Sequence, residues 1–221
     1  KRTHKDSLLA QQFDIAHTLL YQYQYGLKEA KDIFDVDLYA RYYVVMDLIG
    51  GYHGIAWHNQ RFYYNQVIGK LEPIGFDGFG GEGLAYVPEK PFLGINLSSL
   101  GGFSEMHKKL FRDKSFLEKY HFYLEKLTAT EHLDAFLASI KKKMHQRLHL
   151  IRKYVKGYNF SPDYLYQRAA NIRNALYPFS TSLQTKTIKP GIIAVCNRHQ
   201  IPIEILGSVS ASGGPINYLD S

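Results

Sequence analysis

The amino-acid sequence predicts an α+β domain that is mostly helical and carries small β elements. Three observations point to this fold class. Apolar residues recur at helical spacing over most of the chain, two short aromatic or β-branched stretches surround a turn between residues 57 and 76, and two strand-like runs, IIAVCN and IPIEIL, lie near the end. The chain has 221 residues, which is enough to bury a sizeable core.

The amino-acid composition excludes several classes of protein. A chain that is 45% hydrophobic and 21% charged is typical of globular proteins, which excludes wholesale disorder and a fibrous repeat. The single cysteine, Cys196, excludes a disulfide-stapled miniprotein. No apolar run is long enough to cross a bilayer, so we expect no membrane span. The net charge of +7 favours anionic partners.

Two helices are predicted before residue 52. The first covers residues 7 to 24, with an apolar stripe at helical spacing formed by Leu9, Phe13, Ala16 and Leu20. The second runs from about residue 37 to residue 49, and the pair Gly50-Gly51 ends it. Its predicted apolar face consists of Leu38, Tyr42, Val45 and Ile49. We expect both stripes to pack against the core.

A β-hairpin and a long loop are predicted next. The stretches RFYY and LEPIGF flank the turn-like segment 65–70, a pattern typical of a hairpin. Residues 77 to 104 hold much of the glycine, which predicts an irregular loop. Long loops inside compact domains are usually functional or disordered, and the aromatic residues of this one argue against disorder.

Helix signals return in the second half of the chain. Ser115 to Glu118 and Thr128 to Glu131 each match a capping box and predict helix starts. The helix after Thr130 has an apolar stripe formed by Leu133, Phe136, Leu137, Ile140, Met144, Leu148 and Ile151. Its other face carries Lys141, Lys142, Lys143, Arg147 and Arg152. We interpret this basic face as the solvated back of the helix, with a nucleic-acid or acidic-peptide surface as the alternative.

The last segments predict one more helix and a small β element. Ser161-Pro162-Asp163 supplies a cap, a first-position proline and an acid that favours the helix dipole. The apolar face of this helix is predicted to hold Leu165, Ala169, Ile172 and Leu176. IIAVCN and IPIEIL predict a C-terminal hairpin. We therefore divide the chain into a helical lobe, residues 1–180, containing the loop and hairpin of about residues 52–83, and a β-hairpin extension, residues 181–221.

Residues 47 to 82 hold the densest group of reactive side chains. Asn59 lies in a polar loop after a helix, and Asp77 lies in a glycine-rich turn after the hairpin. Together they offer an amide and a carboxylate oxygen, the ligand types that hard cations prefer. The hairpin between them can bring them together. An Asn followed by two strands and Asp-x-x-Gly is a layout that phosphoryl transfer uses.

Longer strings of the sequence resemble the CotH family. They are FDVDLYARYYVVMDLIGGYHGIAWHNQRFYYN, GKLEPIGFDGFGG, FLEKYHFYLEKLTATEHLDAFL and RAANIRNALYP, and the resemblance covers roughly residues 10 to 206. CotH proteins resemble atypical protein kinases and include bacterial spore-coat and fungal surface proteins. The resemblance implies a fold like the larger lobe of a protein kinase, ATP with Mg²⁺ or Mn²⁺, protein substrates with Ser or Thr acceptors, and a secreted, spore-coat or cell-surface location.

The resemblance also implies roles for individual residues. Asn59 matches the catalytic-loop Asn of the family and Asp77 its metal-binding Asp, so both are expected to bind metal and nucleotide. Some members place an Asp several residues before the Asn, whereas this chain reads GGYHGIAW there and holds no acid. We therefore expect His53 or Asp47 to orient the acceptor hydroxyl, with a capping or hydrogen-bonding role as the alternative for Asp47.

The remaining expectations concern Arg61 and the extent of the site. Arg61 is expected to reach a phosphate, with an ion pair to Asp77 or Glu72 as the alternative. Residues 1 to 30 show no strand pattern able to form the smaller kinase lobe. We therefore expect that lobe, with its phosphate-binding Lys, to precede residue 1.

The predicted function is ATP-dependent and metal-dependent phosphorylation of protein hydroxyls. One rival is a non-catalytic scaffold or adhesion protein on the same fold, which the acid-free loop before Asn59 favours. A second rival is a nucleic-acid-binding module built on the basic helix, although nucleic acid is not the expected partner.

Overall fold

A computed structural model describes residues 7–76, 78, 105–177, 183–199, 202–209, 215, 217 and 218, without side-chain detail for Tyr52, Glu105, Asn217 and Tyr218. These residues form an α+β structure dominated by helices, which confirms the predicted class. The helices are α1 (Ser7–Gln24), α2 (Ala30–Ile33), α3 (Val36–Ile49), α4 (Tyr52–Ile55), α5 (Glu105–Leu110), α6 (Lys114–Leu127), α7 (Thr130–Tyr154) and α8 (Asp163–Leu176). Within the described part of the chain, none of them has both the length and the apolar character needed to cross a membrane.

The strands form three two-stranded antiparallel sheets. They are β1 (Arg61–Asn65), β2 (Lys70–Ile74), β3 (Leu183–Lys189), β4 (Ile192–Asn197), β5 (Gly207–Ser208) and β6 (Asn217–Tyr218). The chain divides into two compact units, Lys1–Arg173 and Asn174–Ser221. The division into a kinase-like lobe and an extension with a boundary at residue 180 stays a prediction.

Aromatic rings on α3 and α6 form the centre of the first unit. Tyr39 and Tyr43 on α3 and Phe116 on α6 are all buried. The Phe116 ring lies 5.9 Å from that of Tyr39 and 5.6 Å from that of Tyr43, both edge-on. Such pairs stabilise a fold by roughly 0.5–1.5 kcal/mol each beyond the area they bury. These ring contacts therefore hold α3, the helix that leads into the loop, against α6.

The buried face of α3 differs from the predicted one. Val45 is 38% exposed and the other three predicted residues are only half-buried, whereas Tyr39 and Tyr43 are buried. The prediction from helical spacing chose mainly aliphatic residues for the buried face of α3. A tyrosine, however, buries a larger area if its hydroxyl finds a partner, and the hydroxyl of Tyr43 accepts a hydrogen bond from Gln60 Nε2 at 2.8 Å.

The first helix begins and ends where the sequence predicts, but its stripe is not buried by the described residues. Leu9 and Phe13 are 46% and 54% exposed. Tyr23 in the last turn is the buried residue of α1, and its ring lies edge-on to Phe34 at 5.0 Å. Helix α1 therefore meets the core through its C-terminal turn.

Helices α6 and α7 begin close to the predicted positions, but neither uses the predicted capping box. Asp113 caps α6, because its Oδ1 accepts from the amide three residues on at 3.0 Å. Its Oδ2 accepts from the amide of Ala30 at 3.2 Å, so one carboxylate also holds the start of α2. Thr128 ends α6 and donates its hydroxyl to Leu124 O at 2.6 Å. The capping boxes predicted at Ser115 and Thr128 are wrong, because Asp113 already occupies the first cap position and Thr128 completes the preceding helix.

The hairpin predicted beside the site is confirmed. Strands β1 and β2 pair from Arg61 opposite Ile74 to Asn65 opposite Lys70. Gly69 in the turn has φ +66°, a conformation that glycine adopts without strain.

The C-terminal hairpin lies one strand earlier than predicted. IIAVCN forms β4, but its partner is β3, and residues 202–206 of IPIEIL are not in a strand. The turn between β3 and β4 contains Pro190 and Gly191, with φ +80° at the glycine. A Pro-Gly pair is a strong turn signal, whereas the mixed polar sequence of β3 gives only a weak strand signal.

Candidate functional site

The loop between α3 and β1 is wound into short helical turns. Gly50 ends α3 in the left-handed conformation, with φ +68°. Helix α4 follows directly, and a 3₁₀ turn, Trp57–Asn59, leads into β1. The amide of Gly51 donates to Met46 O at 2.7 Å. These backbone bonds fix the path of the segment that carries His53 and Asn59.

Two glycines of this loop lie against the chain that leaves β2. A methyl group at Gly51 would come within 2.3 Å of Gly78 O and 2.8 Å of Met46 Sδ. One at Gly54 would lie 2.9 Å from Gly78 Cα and 3.0 Å from Phe76 O. Real Cβ atoms do not approach backbone so closely, so only glycine fits at both positions. The residues before and after position 77 therefore pack on the loop that carries His53, while Asp77 lies outside the described residues.

Asn59 is held in place through its amide nitrogen. Nδ2 donates to His53 O at 3.0 Å. This bond leaves Oδ1, the atom that a hard cation would bind, as the remaining polar atom of the side chain. The imidazole of His53 is exposed, and its centroid lies 6.3 Å from that of His58.

Arg61 is anchored to the end of the same loop. Its Nη1 donates to His58 O at 3.0 Å and to Gln60 O at 2.9 Å, and its guanidinium lies 4.7 Å from the centroid of Phe76. Glu72 instead accepts a hydrogen bond from Asn65 Nδ2 at 2.6 Å. The ion pair with Glu72 that the sequence left open is therefore absent, while a pair with Asp77 lies outside the described residues.

Asp47 is a buried hydrogen-bond acceptor. The residue has no exposed surface, and its Oδ2 accepts from the hydroxyl of Tyr120 at 2.6 Å. Its backbone oxygen accepts from Arg168 Nη2 at 2.6 Å and Nε at 3.2 Å. A cation at the C-terminus of α3 is also favoured by the helix dipole. These contacts match the hydrogen-bonding role that the sequence left open for Asp47.

Arg168 and Tyr164 of α8 donate hydrogen bonds to carbonyl oxygens in the last turn of α3. The hydroxyl of Tyr164 donates to Ile49 O at 3.2 Å, two residues beyond the carbonyl that Arg168 binds. The last carbonyls of a helix lack partners within it and need outside donors. Sequence reasoning missed both residues, because nothing in the apolar pattern of α8 shows that an arginine on it points into the core.

A series of buried polar side chains, joined by hydrogen bonds, connects the loop to the core. Gln60 is buried between β1 and α3, accepts a short hydrogen bond from the hydroxyl of Tyr39, and donates to Ile55 O at 2.7 Å. The hydroxyl of Tyr43 lies 3.2 Å from Nδ1 of the buried His107. Burial raises the pKa of Tyr39 and of Tyr43 above the ordinary value, so both hydroxyls stay protonated. Gln60 sits beside Asn59 in sequence, yet sequence reasoning passed over it because a lone glutamine carries no recognisable motif.

The described residues alone do not assemble a metal centre. No cluster of three or more His, Cys, Asp or Glu side chains occurs among them in ligand-like positions. The structure brings together His53, Asn59, Arg61 and the residues that flank position 77, while it keeps Asp47 in the core.

Comparison with known proteins leaves the family resemblance a prediction. No protein-family model, no curated protein and no solved structure matches this chain.

Proposed function

We propose that this chain belongs to a CotH-like atypical protein kinase that transfers the γ-phosphoryl group of ATP to Ser or Thr hydroxyls of a protein substrate. The observation that carries the proposal is the close packing of Phe76 and Gly78 on Gly51 and Gly54. This contact joins the exit of the hairpin to the start of the polar loop. Phosphoryl transfer needs that proximity, because one side supplies the acid and the other the amide for a shared metal ion.

Asn59 and Asp77 are the proposed metal ligands. Asn59 offers Oδ1, since Nδ2 is engaged with His53 O at 3.0 Å. An amide and a carboxylate oxygen suit Mg²⁺ or Mn²⁺, which in kinases bridge the phosphates and neutralise charge. Arg61, the first residue after the loop, is proposed to bind a phosphate oxygen. Both of its carbonyl contacts use Nη1, which leaves Nη2 and Nε for the phosphate.

His53 is the proposed group that receives the proton of the acceptor hydroxyl. The hydroxyl oxygen bonds to the γ-phosphorus, the bond to the ADP oxygen breaks, and the proton passes to the imidazole. His53 is exposed in the loop, whereas Asp47 is buried and bonded to Tyr120. Burial of Asp47 therefore favours His53 for this role and a positioning role for Asp47.

Transfer of labelled phosphate from ATP to casein and to the protein itself, measured on the complete protein, tests the proposal. Asp77→Asn should lower the rate at least ~10²-fold, the scale of removing a preorganised electrostatic group. The matched control is Asp14→Asn on the exposed part of α1, which should leave the rate unchanged. Equal rates for Asp77→Asn and the unmodified protein would contradict the assignment.

The pH profile tests His53. An imidazole accepts a proton only when it is neutral, so the rate should fall at acid pH, and His53→Gln should flatten that limb. His58→Gln, in the same loop, is the control and should keep the limb. A profile that His53→Gln leaves intact, and that Asp47→Asn abolishes, would transfer the role to Asp47.

A second candidate function is a non-catalytic scaffold or adhesion protein on the same fold. Two observations favour it: the loop from Gly50 to Trp57 contains no acid, and Asp47, the nearest acid before it, is buried. Calorimetric titration of the complete protein with ATP separates the two functions. A kinase should bind ATP more tightly with Mg²⁺ or Mn²⁺ than with EDTA, and a scaffold should show no heat in either condition.

A further inference from the structure

The described residues cover the apolar stripe of helix α7 only in part, and its central residues are half-buried. The helix has 25 residues, and Leu133 in its first turn is the one buried among them. Phe136 and Ile151, at the two ends of the remaining stripe, are 46% and 39% exposed. Amphipathic helices of globular proteins normally bury such a face. A large exposed apolar patch with a polar rim is typical of an interaction surface.

The chain after α7 folds back and turns this stripe into a groove. Leu137, Ile140, Met144 and Leu148 line one side, and Phe160 and Leu165 line the other, around a cavity of about 390 Å³. Arg152 fixes the returning segment, because its Nε donates to Tyr158 O at 3.0 Å. The groove is therefore formed before any partner arrives, which lowers the ordering cost of binding.

Basic side chains border the groove. Lys143 and Arg147 lie along it, and among the described residues neither has an ion pair. The acids of α7, Glu131 and Asp134, lie in its first two turns, before the groove begins. An apolar floor with a positive rim is complementary to a segment that carries both apolar and acidic residues.

The same charges disfavour a second copy of this chain as the occupant. In a seven-residue repeat, Leu137, Met144 and Ile151 fall on one core position, while Leu133, Ile140 and Arg147 fall on the other. Pairing of two α7 helices would bury Arg147 of each copy in the seam and bring the lysines of both together. Such contacts are unfavourable, since like charges would lose water without gaining partners.

We propose that this groove binds an amphipathic, acidic helical segment of a partner protein. Apolar side chains at spacings of three and four residues would fill the space between Met144 and Leu165, and acidic side chains beside them would pair with Lys143 and Arg147. The proposal does not depend on the phosphotransfer function, because none of its residues belongs to the loop that carries His53.

Fluorescence anisotropy with two labelled synthetic helices tests the proposal. One peptide of about 18 residues, long enough for five turns, carries leucines at positions i, i+3, i+4 and i+7 and glutamates elsewhere; the second replaces every glutamate by lysine. The acidic peptide should bind at least ~10-fold more tightly than the basic one, equivalent to about 1.4 kcal/mol. Equal binding of the two peptides would overturn the proposal.

Matched variants locate the site. Met144→Glu should weaken the acidic peptide at least ~10-fold, because it places a carboxylate among apolar groups. Gln146→Glu makes the same charge change away from the groove and should shift the dissociation constant less than about twofold. The double variant Lys143→Glu with Arg147→Glu, at surface positions that do not threaten folding, should also weaken binding, whereas Lys142→Glu should have a smaller effect. Retained binding in the double variant would contradict the proposed rim.

Two further measurements identify other occupants. Sedimentation equilibrium that shows a dimer, lost in Met144→Glu, would assign the groove to a second copy. Binding of a single-stranded uridine RNA of about 20 nucleotides that weakens steeply with salt, and is lost in Lys142→Glu, would assign the helix to nucleic acid. Either result would overturn the acidic-segment proposal.

Discussion

Buried polar side chains with specific partners link the core to the loop at the candidate site. Gln60 ties the end of the loop to two tyrosines of α3, and Asp47 ties the end of α3 to Tyr120 on α6. A buried polar group costs stability unless it is bonded, and a bonded network fixes one arrangement of the core. These residues therefore fix the position of the loop, on which His53 is exposed and Asn59 is half-buried.

Replacing Tyr120 by phenylalanine tests how much its hydrogen bond to Asp47 contributes to the free energy of unfolding. The change removes the hydroxyl 2.6 Å from Oδ2 and leaves a buried carboxylate with one donor fewer. We expect the free energy of unfolding to fall by about 1.5–3 kcal/mol, the range for the loss of a hydrogen bond to a charged group. Urea denaturation followed by circular dichroism measures the loss.

Tyr166→Phe is the matched control for that change. The hydroxyl of Tyr166 donates to Asp134 at the exposed surface, so water can replace it. The expected loss of stability is therefore much smaller than that of Tyr120→Phe. Equal losses in the two variants would show that the bond between Tyr120 and Asp47 contributes nothing beyond an exposed one.

The carboxyl group of Asp37 gives a prediction about pH. The hydrogen bond from Tyr123 at 2.7 Å, aided by Arg41 and Lys119, lowers its pKa below the ordinary value near 3.8. A carboxyl whose pKa is lower in the folded state contributes stability above the unfolded pKa and loses it as the pH falls through the folded pKa. We therefore expect Tyr123→Phe to raise the pKa of Asp37 toward its ordinary value.

Carbon-detected NMR titration of the Asp37 carboxyl measures this shift. The acid limb of the stability curve should move to higher pH in Tyr123→Phe, because the contribution of Asp37 is then lost earlier on acidification. Tyr166→Phe should leave the Asp37 titration unchanged. An unaltered pKa in Tyr123→Phe would show that Arg41 and Lys119 alone set it.

The contact between the loop and the residues after β2 requires glycine, because a side chain would not fit between the two segments. Gly54→Ala would place Cβ 2.9 Å from Gly78 Cα and 3.0 Å from Phe76 O. We expect the segment after β2 to move away at a cost of about 1–3 kcal/mol in stability. Phosphate transfer should fall as well, because the proposed ligand Asp77 lies between the two displaced residues.

Gly75→Ala is the control for the loop contact. It lies one residue after β2, and a methyl group there meets nothing within 4 Å. Stability should change by no more than about 0.5 kcal/mol. Normal stability and normal phosphate transfer in Gly54→Ala would rule out the packing contact as a requirement of the site.

The two units bury their residues to different degrees. Tyr39, Tyr43 and Phe116 lie in a dense aromatic core, whereas every residue of β4 is exposed and β3 exposes all but Leu183. Isolated two-stranded hairpins are only marginally stable in water. Local opening should therefore cost far less free energy in β3 and β4 than in α3 and α6.

Amide hydrogen exchange followed by mass spectrometry measures that difference. Amides of α3 and α6 should exchange at least ~10²-fold more slowly than those of β3 and β4. The β1–β2 hairpin serves as an internal control and should lie between them, because Leu71 of β2 is buried and bridges to Phe34. Protection in β3–β4 equal to that in α3 would contradict the expected order.

Local sequence patterns are sufficient to predict the class of fold, the bounds of α1 and α3, and the hairpin beside the site. Those features depend on local rules: helical spacing of apolar residues, glycine at the end of α3, and a turn between two aromatic or β-branched stretches. The sequence also placed His53 and Asn59 on one loop and Arg61 at the start of the following strand, since they are neighbours along the chain.

Which faces are buried, and which polar groups lie in the core, depends on contacts between residues far apart in the chain. Tyr39 and Tyr43 replaced the predicted face of α3 because Gln60 and His107, distant along the chain, supply partners for their hydroxyls. Asp47 became a core acceptor because Tyr120 on α6 reaches it from 73 positions further along the chain. Burial and hydrogen bonding depend on such long-range neighbours, and local spacing along the chain contains no record of them.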